Sequence, residues 1–150
     1  MRLLISACLL GCCCRYDGAS KVHPLAEALA QHYDLVPVCP EQLGGLPTPR
    51  PPAERQGDRV MTRDGRDVTE AYCRGGEETL RLCRLLDCQA AVLKERSPSC
   101  GLGQVYDGTF TGTLTDGDGL CARLLVGRGL RVIGESQVEE LLASREEKSI

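Results

Sequence analysis

Three cysteines, each placed after an apolar run, are the residues of this chain best arranged to do chemistry together. Cys8 follows the run that begins at Leu3, and Cys39 closes the run that begins at Leu35. Cys100 lies in a Ser-Pro-Ser-Cys-Gly corner after the run that begins at Ala90. Short apolar runs bounded by Gly and Pro are typical of buried strands. Because the carboxyl ends of parallel strands meet at one crevice of an α/β sheet, we expect the three thiols to converge there.

A site of three thiolates without a ready fourth protein ligand leaves one coordination position of a metal open. With zinc this would be a catalytic site. With iron it would be a cubane cluster in which three irons are bound by Cys and the fourth is exposed. Cys14 follows Cys12 and Cys13 in a triplet, and its thiol could supply a fourth ligand and close the site.

Two further side chains near these cysteines could handle protons or substrate. Glu41 lies two residues beyond Cys39, after a proline that fixes its direction. It is either a general acid/base beside a bound substrate or a solvated loop glutamate. Ser97 is either a hydrogen-bond donor aimed at the substrate or a hydroxyl that satisfies the backbone of its own loop.

Composition indicates one compact domain and argues against a nucleic-acid partner. The chain has 150 residues, a net charge of −3, no Trp and one Phe, so it lacks a basic face and a stacking surface. The segment between Arg2 and Cys8 is too short for a signal peptide, and no apolar run is long enough for a membrane span. We therefore expect a cytoplasmic protein with reduced thiols and no membrane partner.

The remaining cysteines and both histidines are predicted to be structural. The cysteines that fall on or beside predicted helices are expected to be buried as small apolar side chains, and they are Cys73, Cys83, Cys88 and Cys121. His23 and His32 belong to a predicted helical region away from the strand ends, which favours a surface or packing role.

Strands alternating with helices predict a single-domain α/β fold. It has an open, mainly parallel, Rossmann-like sheet with helices on both faces and the site at the carboxyl ends of the strands. The predicted strands are Leu3–Ala7, Leu35–Cys39, Ala90–Glu95 and Leu130–Ile133. The predicted helices are Pro24–His32, about Asp67–Leu86 with a weak point or break at Gly75-Gly76, Gly119–Val126, and a last one from Ser136. The segment Gly44–Gly57 is rich in proline and is predicted to be irregular, and Gln104–Thr115 is a hairpin or a glycine-rich loop. Residues 1–144 form the domain, and residues 145–150 are predicted to be a frayed tail.

An ordered series of short motifs resembles the bacterial thiouracil desulfidase family, a domain of formerly unknown function. The similarity runs from Ser6 to about Glu135. Its motifs are Ser-Ala-Cys-Leu-Leu-Gly at 6–11, Cys-Arg-Tyr-Asp-Gly at 14–18, Pro-Val-Cys-Pro-Glu-Gln-Leu-Gly-Gly-Leu at 37–46, Pro49-Arg50, Asp64-Gly65, Asp-Val-Thr at 67–69, Leu93-Lys94, Ser-Pro-Ser-Cys-Gly at 97–101 and Tyr-Asp-Gly-Thr-Phe at 106–110.

The resemblance implies an iron–sulfur enzyme that removes sulfur from a thiolated pyrimidine without net electron transfer. By motif, the ligands of a [4Fe–4S] cluster fall on Cys8, Cys39 and Cys100. The catalytic acidic residue falls on Glu41 and the catalytic serine on Ser97. The fourth iron would accept the sulfur, and hydrogen sulfide would be released. The partner is then a small thiolated nucleobase or related thioamide. Cys12 and Cys13 depart from the family pattern and add two thiols beside Cys14.

Two other functions use the same cysteines. A zinc-dependent hydrolase would place three thiolates on one Zn²⁺ and use its open position for water. A non-enzymatic metal or sulfur carrier would need the thiols but no acid/base at Glu41.

Overall fold

The computed structural model of the protein describes residues 1–148. In chain order the elements are β1 (Arg2–Ser6), α1 (Ala26–His32), β2 (Asp34–Val38), α2 (Pro40–Leu43), β3 (Ala53–Gln56), β4 (Arg59–Thr62), α3 (Thr69–Leu85), β5 (Ala90–Leu93), β6 (Gln104–Tyr106), β7 (Leu114–Asp116), α4 (Leu120–Gly127), β8 (Arg131–Gly134) and α5 (Val138–Lys148). The helix α5 therefore includes Arg145–Lys148, where a frayed tail is predicted. Residues 149–150 of that predicted tail lie outside the described residues.

A four-stranded parallel sheet in the order β2-β1-β5-β8 forms the centre of the molecule. Its strands are short and mostly apolar because both faces are covered. Alternate residues of β1 point to opposite faces, so Leu3 and Ile5 enter one core and Leu4 enters the other. The first core includes Leu29 of α1 and Val138 and Leu141 of α5, and the second includes Leu80 of α3 and Cys121 and Leu125 of α4. The predicted fold class is confirmed.

Two small antiparallel hairpins lie outside the central sheet. β3 pairs with β4, and β6 pairs with β7. The hairpin alternative for Gln104–Thr115 is thus confirmed. The prediction of irregular structure throughout Gly44–Gly57 is wrong for Ala53–Gln56, because the prolines stop at Pro52 and leave the following residues free to donate ladder hydrogen bonds.

The helix α3 runs through Gly75 and Gly76 without interruption, so the predicted break is wrong. Both glycines are buried, and each is backed by close neighbours. A Cβ on Gly75 would overlap the carbonyl oxygen of Pro40 in α2, so this glycine permits direct contact between the two helix backbones. Packing thus offsets the low helix propensity of the pair.

Of the four cysteines that were predicted to be structural, three lie in the core. Cys83, Cys88 and Cys121 are buried as predicted, whereas Cys73 is exposed on α3 and the prediction for it is wrong. Within residues 1–148, none of the helices combines the length and apolar character that crossing a membrane requires.

Candidate active site

A cavity of about 480 Å³ opens at the carboxyl ends of β1, β2 and β5. Its lining includes all the candidate residues of the sequence analysis, namely Cys8, Cys14, Cys39, Glu41, Ser97 and Cys100. Chain segments that follow three different strands therefore bring these side chains to one place. The position agrees with the rule that α/β sheets bind ligands where the strand order reverses.

Two of the cysteines are positioned by short helical turns that begin where a strand ends. After β1 the chain enters a 3₁₀ turn, Ala7–Leu10, which contains Cys8 and is closed by Gly11 at a φ of 101°. A left-handed φ of this kind favours glycine. After β2, Cys39 is the N-cap of α2, and Pro40 occupies its first turn. Glu41 follows in the same turn and faces the cavity.

The corner that holds Cys100 is fixed by the hydroxyl of Ser97. Ser97 Oγ accepts hydrogen bonds from the backbone N–H of Ser99 (3.1 Å) and of Cys100 (3.0 Å). The start of α4 packs tightly behind this corner, because a Cβ on Gly119 would lie 2.8 Å from the backbone nitrogen of Cys100. The backbone-satisfying role considered for Ser97 is therefore present, and it coexists with a place in the cavity wall.

Burial keeps the side chains of Cys8 and Cys100 in their thiol form. It raises the pKa of Cys8 to about 11 and that of Cys100 well above the ordinary value. Cys8, Cys39 and Cys100 all line the same cavity. A cation in the cavity would reverse this preference, because thiolate is the metal-binding form.

The carboxylate of Glu41 is held by two buried donors. The hydroxyl of Tyr72, on α3, donates to Glu41 Oε1. Arg50 Nη2 lies 3.4 Å from Glu41 Oε2 and also donates to the backbone carbonyl oxygen of Cys14 at 2.9 Å. Only 17% of the Glu41 side chain is exposed, so the solvated-glutamate alternative does not describe it.

The cysteine triplet divides into one buried and two exposed residues. Cys14 is buried in the cavity wall, and its carbonyl oxygen lies 3.7 Å from Cys39 Sγ. Burial raises the pKa of the Cys14 thiol to about 12, and electrostatic interaction with Cys39 and Cys8 acts in the same direction. Cys12 and Cys13 are exposed. Of the triplet, Cys14 is thus the thiol that the fold directs into the site.

Sequence reasoning missed Tyr72 as a site residue, and it treated Arg50 only as part of a motif. The buried residues of α3 recur at helical spacing, and they include Tyr72, Gly76, Thr79 and Cys83. A tyrosine on this inward face was the available signal. Lys94, which follows β5, forms an ion pair in which its Nζ lies 2.6 Å from Glu135 Oε1.

Comparison with known proteins identifies the family of this chain. The chain matches the 2-thiouracil desulfurase family over residues 3–137. It belongs to that family. The Bacillus subtilis (strain 168) protein YbbK, which is uncharacterised, is 40% identical over 150 residues that cover 93% of this chain and 99% of YbbK. The solved structure of the [4Fe–4S]-dependent thiouracil desulfidase TudS is 46% identical, with a TM-score of 0.90 and 97% of each chain covered.

The donor set of this family member suits an iron–sulfur cluster. Soft thiolates bind such clusters, and the cysteines of a cubane bind different irons rather than one shared ion. Among the described residues, no three His, Cys, Asp or Glu side chains are grouped around a single-ion position.

Proposed function

We propose that this protein binds a [4Fe–4S] cluster through Cys8, Cys39 and Cys100 and removes sulfur from a small thiolated pyrimidine such as 2-thiouracil. The overall reaction is hydrolytic: one water replaces the thiocarbonyl sulfur by oxygen, and the sulfur leaves as hydrogen sulfide. The observation that carries the proposal is the meeting of three strand-end cysteines with Glu41 and Ser97 at one cavity. The desulfidase TudS, with the same fold, supports the choice of cluster and substrate class.

When bound, the cluster supplies an open iron that polarises the thiocarbonyl group as a Lewis acid. Glu41 takes the proton of the attacking water and later returns a proton to the departing sulfur or the ring nitrogen. Each of its carboxylate oxygens has a neighbouring donor, Tyr72 at Oε1 and Arg50 at Oε2. The oxygen of Ser97 accepts hydrogen bonds from two backbone amides, so its hydroxyl hydrogen is available to donate a hydrogen bond to the substrate.

The direct test is anaerobic reconstitution followed by iron and sulfide analysis and turnover of 2-thiouracil. We expect about four irons per chain and stoichiometric release of sulfide and uracil. Cys100→Ser should lose the cluster, whereas Cys73→Ser, a change of an exposed thiol on α3, should retain it. A fully loaded wild-type protein that releases no sulfide from 2-thiouracil or 4-thiouracil would refute the proposed function.

Glu41→Gln separates this enzyme from a passive metal or sulfur carrier. The amide cannot take a proton, so kcat should fall by about 10²–10⁴-fold while iron content stays normal. Sulfur release at the wild-type rate by the loaded variant would instead favour the carrier.

A further inference from the structure

Both oxygens of the Glu41 carboxylate have their own donor, and each donor comes from a different segment. Tyr72 reaches Oε1 from the first turns of α3, and Arg50 reaches Oε2 from the loop between α2 and β3. Tyr72 is 2% exposed and Arg50 is 8% exposed, so neither donor is a mobile surface side chain. Two fixed donors on two oxygens leave the carboxylate little freedom to rotate.

The bond from Tyr72 has a fixed direction of donation. Burial and the adjacent charge of Glu41 raise the pKa of Tyr72 well above the ordinary range of a phenol. Tyr72 therefore keeps its proton at any working pH and always donates to Glu41. A donor of fixed direction holds one oxygen of the Glu41 carboxylate in place.

Arg50 connects the same carboxylate to the cysteine-bearing loop. Its guanidinium donates from Nη2 to the carbonyl oxygen of Cys14 (2.9 Å) and from Nη1 to that of Pro47 (3.1 Å). The Cys14 carbonyl also accepts from Cys39 Sγ at 3.7 Å. One planar, permanently charged group thus spans Glu41 and the backbone beside two cavity cysteines.

We propose that Tyr72 and Arg50 are positioning residues of the desulfuration reaction. Tyr72 fixes the orientation of the Glu41 carboxylate through Oε1, and Arg50 fixes the placement of that carboxylate relative to the cysteine-bearing loop. This inference rests on the proposed function. It adds two residues, neither of which needs to touch the substrate.

Tyr72→Phe tests the first part, because it removes one hydroxyl and keeps the buried ring. Tyr33→Phe is the matched control, since Tyr33 is buried in the core on the opposite face of the sheet. Iron content, kcat and KM for 2-thiouracil are measured on the reconstituted proteins. In Tyr72→Phe we expect KM to stay within about twofold, because the lost hydroxyl orients Glu41 and does not bind the substrate. We expect kcat at pH 7 to fall about tenfold with normal iron content, and the control should match wild type.

A wild-type kcat per loaded cluster in Tyr72→Phe would overturn the role of Tyr72 while leaving the proposed function intact. A loaded wild type without activity would overturn the function instead. A merely structural role predicts a lower Tm and a lower iron content, with kcat per loaded cluster at the wild-type value.

Arg50→Lys tests the role of Arg50. The single ammonium group of lysine cannot replace a planar guanidinium that contacts both the Glu41 carboxylate and the Cys14 carbonyl oxygen. We expect KM to stay within about twofold, kcat to fall about tenfold, and iron to be lost to a chelator several-fold faster. Arg74→Lys, on the exposed side of α3, is the control. Wild-type rates of both turnover and iron loss in Arg50→Lys would overturn its role.

Discussion

Ser97 illustrates how one side chain serves both the backbone and the cavity. Its oxygen accepts two amide hydrogen bonds that hold the corner before Cys100. Removing the hydroxyl therefore leaves two amides without this acceptor and loosens a proposed ligand. Loss of activity in a Ser97 variant would on its own confuse these structural and chemical effects.

Comparing Ser97→Ala with Ser97→Thr separates them. Ser97→Ala should lower the free energy of unfolding of the metal-free protein by about 1–3 kcal/mol, because two partly buried bonds lose their acceptor. Ser97→Thr retains the oxygen and should recover most of that loss. Urea unfolding under reducing conditions measures both. Equal stability of Ser97→Ala and wild type would show that the two bonds contribute little.

The buried thiol of Cys121 makes the metal-free protein sensitive to alkali. Burial raises its pKa from 9.0 to about 12, so the folded state holds this proton more tightly than the unfolded chain does. The resulting stability is complete below pH 9 and is lost as the pH rises towards 12, by at most about 1.4 kcal/mol per pH unit. Cys121→Ala should make the decline between pH 8 and 10.5 shallower by about 1–2 kcal/mol in urea unfolding.

The control for this titration is Cys73→Ala, which removes an exposed thiol from the neighbouring helix. Its dependence of stability on pH should match that of wild type. Equal slopes for Cys121→Ala and wild type would mean that the unfolding reaction is not linked to the Cys121 proton.

Residue types and spacing were enough to nominate Cys8, Cys39 and Cys100, because strand ends in a parallel sheet share one edge. They were not enough to find Tyr72, whose hydroxyl reaches Glu41 only through the packing of α3 on α2. Glu41 is 31 positions away in the chain, and the helical spacing of α3 indicates only that Tyr72 faces inward, not which residue it contacts.

At the scale of elements, the contact between α2 and α3 determines where Glu41 points. Gly75 of α3 faces Pro40 of α2, and Gly44, just after α2, faces Ala71 of α3. Backbone meets backbone at both places. The sequence analysis interpreted Gly75-Gly76 by helix propensity alone and expected a break. The pair is instead tolerated in a continuous helix because one of its members allows the close approach of α2.

The two adjacent glycines provide a matched test of this contact. Gly75→Ala would place a Cβ onto the Pro40 carbonyl, so we expect it to lower the free energy of unfolding by about 1–3 kcal/mol and to reduce kcat by displacing Glu41. At Gly76 a Cβ would meet Cys121 Cα at 3.5 Å, an ordinary contact. Gly76→Ala should therefore be neutral or stabilise by up to about 1 kcal/mol. Thermal unfolding and activity assays on the two variants measure both effects. Equal losses of stability and kcat in Gly75→Ala and Gly76→Ala would contradict the close-contact explanation.

For the whole molecule, the sheet supplies the floor of the cavity and the two hairpins supply part of its wall. Glu54 on β3 and Tyr106 on β6 both line the cavity. The alternation of strands and helices predicted the sheet and its layers. The β3–β4 hairpin was missed because its strands have only four residues each and β3, Ala53–Gln56, carries three polar residues among four. Such a pair is stabilised by the contacts it makes across the molecule rather than by a pattern of its own.

Glu54 of β3 joins the two hairpins to each other. Glu54 Oε1 accepts hydrogen bonds from the backbone N–H of Gly108 (3.0 Å) and of Phe110 (3.2 Å), in the connection between β6 and β7. Glu54→Ala removes an ionised acceptor from both amides, which should cost about 2 kcal/mol locally. We expect the Gly108 and Phe110 amides to exchange about 30-fold faster, and KM for 2-thiouracil to rise with kcat within about twofold. Glu77→Ala, a change on the exposed face of α3, should leave both measurements unchanged. Unaltered amide exchange in Glu54→Ala would show that other contacts, such as the bond from Gln56 to the Gly108 carbonyl, hold the cavity wall by themselves.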